Sequence, residues 1–516
     1  MPVAYKHPGV YVEEIPSEVR PIAGISTSDT AFVGFFPRGP ILRPTKVTSF
    51  TEFERRFGGF DTRSEAAYQA QAFFANGGSV AWIVRVVGGV GENAAKRSTK
   101  TFDNLVVTAI DEGAWGDGLR VLIDHGEPEA ASSTGLFNLT IQERVGDEVV
   151  ASELHNGLQM DPAKPRFAPQ IVEAESRLVR ASRTGTSTSR PSKSTQAQIE
   201  AGGVALAGGK DGTLPSATQW NSAVKTLDDV APEVFNLLCL AGASDLEATG
   251  GLSKANYKSV VDKALTYCDK QRAFLIVDPP SDVDDLEDMK TYRGASQYPS
   301  AHPNGAMYFP RIEVPDPLVP GTLKNIGPCG AVAGGFARTD ALRGVWKAPA
   351  GTDVAVRGAS LQVNLDDART GDLNVMGVNV IRALPIYGTV VWGGRTLKGA
   401  DQQADPWKYI PVRRMALYIE QALYQGLTWV TFEPNDEPLW ASIRLNVGAF
   451  MNGLFRQGAF AGATTRDAYF VKCDKETTTE DDVNRGVVNI IVGFRPLKPA
   501  EFVVLKIQQM AGQAAT

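Results

Sequence analysis

The spacing of apolar residues predicts an α/β layer in the first hundred residues. The segments DTAFVGFFPRGP (29–40) and SVAWIVRVVGG (79–89) are typical of buried strands. Between them, SFTEFERRFG and EAAYQAQAFFANGG have helical spacing, and the second ends at a Gly pair. The order strand, helix, helix, strand therefore assigns residues 26–100 to the first part of an α/β middle domain.

The next two segments differ in their pattern of apolar residues. Residues 101–205 alternate short apolar strands with turns, which predicts a β-rich insertion domain, and its Ser/Thr-rich tract SRTGTSTSRPSKSTQAQ is typical of a loop. From 206 to 345, helical and strand patterns alternate with βαβ spacing. We expect these strands to be parallel and to share one sheet with residues 26–90, across the insertion.

Residues 346–516 resemble neither earlier part. They contain the amphipathic pattern VRRMALYIEQALYQG, a predicted strand TWVTFEP, and a second helical pattern, LWASIRLNVGAFMNGLFRQGAF. Two closing strands, GVVNIIVGFRP and AEFVVLKIQQM, complete a C-terminal α+β domain. The predicted fold class is therefore a multidomain α+β and α/β protein, with residues 1–25 forming an N-terminal arm.

Strand-forming residues near both ends of the sequence predict contacts with other chains. The stretch PGVYVEE places Val10, Tyr11, Val12 and Glu13 between two prolines, with no hairpin partner following. In the closing strands, apolar residues occupy both faces, so both faces must be covered. The predicted acceptor residues are Val488, Ile490, Val492 and Phe494, and the predicted strand donors near the other end are Phe502, Val503, Val504, Leu505, Lys506 and Ile507.

Two interpretations of these strands are open. The closing strands can be central strands of the protein's own C-terminal sheet, which suits 486–495 better than 501–507. Alternatively, the two terminal segments add strands to the sheet edge of a neighbouring copy, where main-chain bonds supply affinity. Because such a contact uses different surfaces on the two partners, it builds rings or helical arrays.

Composition and charge exclude some classes of function. Hydrophobic residues make up 43% and charged residues 21% of the 516 residues, as in ordinary globular proteins. A net charge of -6 argues against general nucleic-acid binding. The sequence lacks an apolar run long enough for a membrane helix, and its four cysteines are scattered, so we expect a cytosolic protein with reduced thiols.

The search for catalytic motifs finds no catalytic residues. The stretch AGGKDGT (207–213) lacks the spacing of a phosphate loop and is better explained as a turn. The acidic run DPPSDVDDLEDMK (278–290) lacks the Gly and terminal Glu of a calcium loop, and a loop with helix-capping carboxylates explains it better. We therefore predict no enzyme, no cofactor and no metal site.

Several segments, taken in their order, resemble the tail sheath family of contractile phage tails, which includes sheaths of R-type bacteriocins and of phage-like extracellular injection systems. These segments are PGVYVEE, AWGDGLRV, GVWKAPAG, LNVMGVNVIR with VVWGGRTL, VRRMALYIEQAL, FEPNDEPLWASIRLNVGAFMNGLFRQGAF and GFRPLKPAEFVVLKIQQ. The resemblance covers the N-terminal arm and residues 344–516, and it is weaker through the middle.

The resemblance implies a set of partners and a mechanism. It implies stacked hexameric rings of this chain around a tail tube, joined by strand exchange, with baseplate and tail-terminator or cap proteins as further partners. It implies assembly in the bacterial cytoplasm in a metastable extended state, and contraction that drives the tube through an envelope. The tube contact is placed on Arg413 and Arg414, for which a solvated helix end is the alternative.

Two rival functions remain open at this point. One is a non-contractile polymer that uses the same strand exchange. The other is a cytosolic α/β enzyme whose middle domain binds a small molecule.

Overall fold

The computed structural model describes residues 20–125 and 135–504, and the chain divides into two compact units. Of the described residues, those within 26–414 and 499–504 belong to the large unit, and those within 20–25 and 415–498 belong to the small unit. Within the described residues, no helix is both long and apolar enough to cross a membrane.

The first part of the large unit consists of strands and helices that are followed by an insertion. Before the insertion lie β1 (Thr30–Gly34), β2 (Thr45–Val47), α1 (Phe50–Phe57), α2 (Ala66–Ala75) and β3 (Ala81–Arg85). The insertion contains β4 (Thr99–Phe102), β5 (Leu105–Ala109), β6 (Leu119–Asp124), β7 (Phe137–Val145), β8 (Glu148–Leu158), α3 (Ala168–Glu175), β9 (Val179–Arg183), α4 (Gln196–Glu200) and β10 (Val204–Ala205).

The rest of the large unit continues the alternation of helix and strand. Its elements are α5 (Ala217–Lys225), β11 (Leu237–Ala241), α6 (Lys254–Gln271), β12 (Phe274–Val277), α7 (Leu286–Gly294), β13 (Gly305–Phe309), β14 (Ile312–Pro315), β15 (Leu323–Ile326), α8 (Cys329–Arg343), β16 (Ser360–Leu361), α9 (Asp367–Val375), β17 (Asn379–Leu384) and β18 (Gly388–Val391).

The final elements begin with a helix that contains the boundary between the units. They are α10 (Ile410–Gly426), α11 (Glu437–Arg456), α12 (Thr465–Ala468), β19 (Tyr469–Lys472), α13 (Glu480–Asn484) and β20 (Ile491–Phe494).

One eight-stranded sheet organises the large unit, in the order β18-β17-β13-β12-β11-β1-β3-β2. Strand β1 pairs in parallel with β3 on one side and with β11 on the other, in the register Thr30↔Leu237 to Gly34↔Ala241. Every residue of β1, β3, β11, β12 and β13 is buried, as expected when both faces of a parallel sheet are covered. The prediction that residues 26–90 share a parallel sheet with strands beyond the insertion is confirmed.

The insertion folds as two small antiparallel sheets around its own core. The sheets have the orders β10-β6-β7-β8 and β4-β5-β9. Alternate residues of β5, β6 and the first half of β7 are buried, which is the pattern of strands with one face on a core. Sixteen buried residues from these elements, α3 and the flanking loops form a separate hydrophobic cluster.

The division between compact units differs from the predicted domain boundary at 345/346. Residues 346–414 belong to the large unit, because β17 pairs in parallel with β13 and β18 pairs with β17. The predicted strand TWVTFEP is wrong, because Thr428–Val430 form a single 3₁₀ turn. There the Trp429 ring lies under the Arg20 guanidinium, 4.7 Å away, so a tertiary contact outweighs strand propensity.

A cluster of buried charged residues lies at the carboxyl ends of the parallel strands. Arg311, after β13, forms an ion pair with Glu65, just before α2, and both side chains are fully buried. The Gln69 amide donates to Glu65 Oε1 at 3.1 Å and to Asp278 Oδ2 at 3.0 Å, while the Cys329 N–H donates to Asp278 Oδ1 at 2.7 Å. One cation thus faces two carboxylates in a water-poor site, and the cluster ties β12, β13, α2 and α8 together.

Helices α2 and α8 pack against each other at glycines. A Cβ at Gly330 would lie 1.9 Å from the Gln69 carbonyl oxygen, and one at Gly334 would lie 2.5 Å from the Phe73 carbonyl oxygen. Both neighbours are main-chain atoms that cannot rotate away. The helix accepts the low helical propensity of glycine because the close approach requires it.

We expect Gly330→Ala to destabilise the protein by about 2 kcal/mol or more, because the added methyl group forces α2 and α8 apart. The matched control is Gly371→Ala in α9, where a Cβ meets no atom within 4 Å. That change should stabilise the protein by about 0.5–1 kcal/mol, by restricting the unfolded chain. Chemical denaturation measures both, and equal effects would contradict the packing argument.

The buried charge cluster predicts a pH dependence of stability. Burial, with the neighbouring Glu65 carboxylate, raises the pKa of Asp278 from 3.8 to about 7. Because the folded state then holds a proton that the unfolded state releases, the contribution of Asp278 to stability is complete below its unfolded pKa of 3.8 and is lost as pH rises through 7. The loss should be about 1 kcal/mol per unit between pH 5 and 7.

Unfolding midpoints of the wild type and of Asp278→Asn, measured from pH 5 to 8, check this expectation. Asp278→Asn should flatten the pH profile, since it removes the titrating group. The exposed Asp147→Asn serves as the control and should leave the profile unchanged. A profile of Asp278→Asn that still falls as steeply as that of the wild type would refute the assignment.

Candidate assembly site

A two-stranded hairpin sheet is the candidate assembly site of the small unit. Strands β19 and β20 pair in antiparallel register, from Tyr469↔Phe494 to Lys472↔Ile491. Each strand has this one partner among the described residues, so the outer edge of each leaves its main-chain groups without a strand partner. Such an edge is a template for pairing with another chain.

The two faces of this hairpin differ in chemistry. On one face, Phe460 packs with Phe494 at 5.6 Å and with Tyr469 at 6.1 Å between ring centroids. On the other face, the Phe470 ring covers Gly493, its cross-strand partner, and Phe470 and Ile491 are exposed. The aromatic cluster therefore fixes the hairpin, while the opposite face presents apolar groups to solvent.

The predicted acceptor residues fall partly inside this hairpin. Val492 and Phe494 lie in β20 and share its inward face, as their alternation predicts. Val488 and Ile490 precede the strand and are half-buried. They lie outside the strand because β19 spans only four residues and offers them no partner. The strand is therefore shorter than the sequence pattern indicates.

The described start of the chain is held against the small unit. The Arg20 N–H donates to Asn446 Oδ1 at 3.1 Å, and the Ile22 side chain is buried. A Cβ at Gly426 would lie 2.7 Å from Ile22, so the glycine is needed for this contact. The predicted strand donors Val10 to Glu13 lie outside the described residues.

The C-terminal segment is held at one residue and exposed after it. The Glu501 carboxylate pairs with Arg395 of the large unit, at 2.7 Å. Phe502, Val503 and Val504 follow without forming a strand, and they are between 74% and 80% exposed. Three consecutive apolar side chains in solvent form an unfavourable exposed surface. The other predicted donors, Leu505 to Ile507, lie outside the described residues.

Arg413 and Arg414, predicted to face a tube, are buried within the large unit. Arg414 pairs with the buried Asp340 at 2.6 Å, donates to the Thr27 carbonyl at 2.8 Å and lies over the Phe336 ring. Arg413 donates to Asn304 Oδ1 at 2.8 Å. These contacts favour an internal structural role over both an exposed tube contact and a solvated helix end.

The two segments examined for ligand chemistry have structural roles. Lys210, in AGGKDGT, donates from its side chain to the Glu92 carbonyl at 2.9 Å and bridges to Lys96 through the main chain. In the acidic run, Asp285 caps α7 by accepting from the Asp288 N–H at 2.9 Å. In the described part of the chain, no group of three or more His, Cys, Asp or Glu residues is arranged to hold a metal ion.

Sequence reasoning missed two features of this site. The pairing of Arg395 with Glu501 joins residues 106 positions apart, and the docking of Arg20 on Asn446 joins residues 426 positions apart. Arg395 lies in VVWGGRTL and Glu501 in GFRPLKPAEFVVLKIQQ, two segments that resemble the sheath family separately. No local pattern shows that these segments meet.

Comparisons with known proteins agree on one family. Residues 402–510 match the family model of the phage tail sheath C-terminal domain. A tail sheath protein of Vibrio phage KVP40 is 26% identical over 178 residues, which cover 34% of this chain and 25% of the phage protein. A putative prophage major tail sheath protein of Pseudomonas aeruginosa (strain UCBPP-PA14) is 26% identical over 316 residues, covering 59% of this chain and 71% of that protein.

A solved structure extends the likeness to the whole fold. The helical sheath of the anti-feeding prophage in its contracted state matches with a TM-score of 0.57 and 23% identity, covering 98% of this chain and 100% of that chain. At this identity, the match establishes a shared fold.

We expect Arg414→Met to destabilise the protein by about 3–5 kcal/mol, because it leaves the buried Asp340 carboxylate without its cation. The matched control is Arg456→Met at the exposed end of α11, which should change stability little. Denaturant titration of the two variants makes the comparison. If Arg414→Met were as stable as Arg456→Met, the internal role would be wrong.

Proposed function

We propose, from the match of residues 402–510 to the family model of the phage tail sheath C-terminal domain, that the protein is the structural sheath subunit of a contractile phage tail or contractile injection particle. The single observation that carries the proposal is the two-stranded hairpin β19–β20 with both outer edges unpaired among the described residues. A subunit of this kind is completed by strands from its neighbours.

We propose that the terminal segments supply those strands. Val10 to Glu13 and Phe502 to Ile507 add to the edges of β19 and β20 in adjacent copies. Main-chain hydrogen bonds then give affinity, and alternate side chains give register. The exposed Phe502, Val503 and Val504 support this assignment, because pairing with a neighbour removes their apolar surface from water.

The proposed contact determines the geometry of the assembly. A donor segment on one copy meets an acceptor edge on the next, so the interface is heterologous and propagates instead of closing as a dimer. We propose stacked hexameric rings around a tail tube, with baseplate and terminator or cap proteins at the two ends. Assembly takes place in the bacterial cytoplasm.

The proposed mechanism is contraction without catalysis. The sheath assembles in an extended, metastable state, and contraction buries more surface between subunits. The strand links stay paired while folded units move as rigid bodies. The barrier to contraction keeps the extended state until a trigger acts. The insertion domain, residues 101–205, projects outward, where extra mass does not obstruct the tube.

A second candidate function is a non-contractile polymer, favoured by the same unpaired edges. The two functions differ in the number of lattice states. A contractile sheath has two helical lattices of different diameter, whereas a non-contractile polymer has one. Electron microscopy of sheaths assembled on a tube, before and after mild denaturant, distinguishes them.

Strand exchange predicts that both terminal segments are needed for polymerisation. We expect the full chain to form hollow helical tubes in negative-stain electron microscopy, alone or on a tube protein. Deletion of residues 1–19 should abolish the tubes while keeping Arg20 and Ile22 docked, and deletion of 505–516 should abolish them while keeping Glu501 docked.

Thermal unfolding of the two deletion variants serves as the control, since each should unfold within a few degrees of the full chain. Tubes from both deletion variants would mean that the lattice does not depend on strand exchange. Uniform small particles from the full chain, even with a tube protein present, would overturn the sheath proposal.

A further inference from the structure

The described root of the C-terminal segment is held by a bidentate ion pair inside the large unit. Arg395 Nε donates to Glu501 Oε1 at 2.8 Å, and Arg395 Nη2 donates to Glu501 Oε2 at 2.7 Å. The Tyr409 hydroxyl donates to Glu501 Oε2 at 3.2 Å. Parallel guanidinium–carboxylate bonds of this kind fix direction as well as distance.

The main chain of Arg395 is itself held in place by hydrogen bonds to Asn379. The buried Asn379 side chain accepts from the Arg395 N–H at 2.7 Å and donates to the Arg395 carbonyl at 2.7 Å. A Cβ at Gly393 would lie 2.7 Å from the Asn379 Cα, and one at Gly399 would lie 2.6 Å from the Arg395 Cβ. The two glycines therefore permit the close approach that holds the arginine against β17.

The third guanidinium nitrogen, Nη1, donates to other acceptors. Nη1 donates to the carbonyls of Asn374 at 2.7 Å and Gly399 at 3.2 Å, and to Asp401 Oδ1 at 2.9 Å. Since the Arg395 side chain is fully buried, the loss of Glu501 would leave Nε and Nη2 without acceptors and away from water. Release of Glu501 is therefore costly, whereas the residues after it are exposed.

We propose that the Arg395–Glu501 ion pair is the anchor of the C-terminal strand-donating arm, and that it sets where the donated strand begins. This inference rests on the proposed sheath function and names the positioning residues of its strand exchange. Residues up to Glu501 stay with their own subunit, and Phe502 is the first residue free to pair with a neighbour.

The anchor limits the reach of the arm. Six extended residues, Phe502 to Ile507, span at most about 20 Å. The acceptor edge on the neighbouring copy must therefore lie within about 20 Å of the donor's Glu501 throughout the lattice. A fixed origin also lowers the entropy lost when the strand pairs, because the arm samples fewer directions before binding.

The test compares the full-length wild type with Glu501→Gln, an isosteric change that removes the charge. Sedimentation and negative-stain counting give the lowest protein concentration that forms tubes. We expect Glu501→Gln to raise this concentration by about tenfold or more, through loss of preorganisation. The control is Glu148→Gln, an exposed carboxylate at the start of β8, which should leave it unchanged.

A second variant separates anchoring from folding. Tyr409→Phe removes only the hydroxyl donor to Glu501, and it should raise the critical concentration by a smaller factor in the same direction. The unfolding midpoint is measured for every variant. Should Glu501→Gln fail to fold, Tyr409→Phe decides the question by itself.

The outcomes separate this inference from the proposed function. A raised critical concentration in a folded variant supports the anchor. A lowered unfolding midpoint with an unchanged critical concentration means that the ion pair only stabilises the fold, and it overturns the anchor alone. Failure of the wild type to form tubes, with or without a tube protein, overturns the sheath function and the anchor with it.

Discussion

Among the residues that the structure describes, the outer edges of the hairpin β19–β20 have no strand partner, and the proposed assembly depends on this constraint. A two-stranded sheet satisfies the main-chain groups on one side of each strand only, and an isolated hairpin is marginal in water. The small unit supports it on one face through Phe460, Tyr469 and Phe494. This support acts on one face only, and in the proposed assembly both edges are completed by other copies, with the exposed apolar residues after Glu501 as donors.

Donation of a strand requires a root, the point at which the donating segment is attached to its own subunit. This root must stay fixed when the strand moves. At the described start of the chain, Arg20 and Ile22 are docked in the small unit, and near its other end Glu501 is docked in the large unit. The two roots use different chemistry: one buries an aliphatic side chain, and the other pairs charges. Because both are tied to folded units, strands donated from them would transmit the position of one subunit to the next.

Local patterns predicted the elements that depend on local physics. Ser49 caps α1 and Gly58 ends it in the left-handed region, so the sequence marks both limits of that helix. The apolar run of β1 predicted a strand covered on both faces, and its parallel partner β11 followed from the βαβ spacing. TWVTFEP forms no strand, and its Trp429 ring instead contacts the guanidinium of Arg20, a residue distant in sequence. Pairs such as Arg395 with Glu501 depend on the fold, and no periodic pattern in the sequence indicates them.

Contraction by rigid bodies requires that folded units resist deformation more strongly than the links between copies. The large unit resists deformation through contacts that cannot be loosened in small steps. The glycines at 330 and 334 bring α8 against the main chain of α2, and buried ion-pair and hydrogen-bond contacts link Arg311 to Glu65 and Gln69 to Asp278. Separating either contact leaves a void or an unpaired buried charge. In the proposed lattice, the strand links between copies lie outside these contacts, and they are therefore the joints at which the lattice would change.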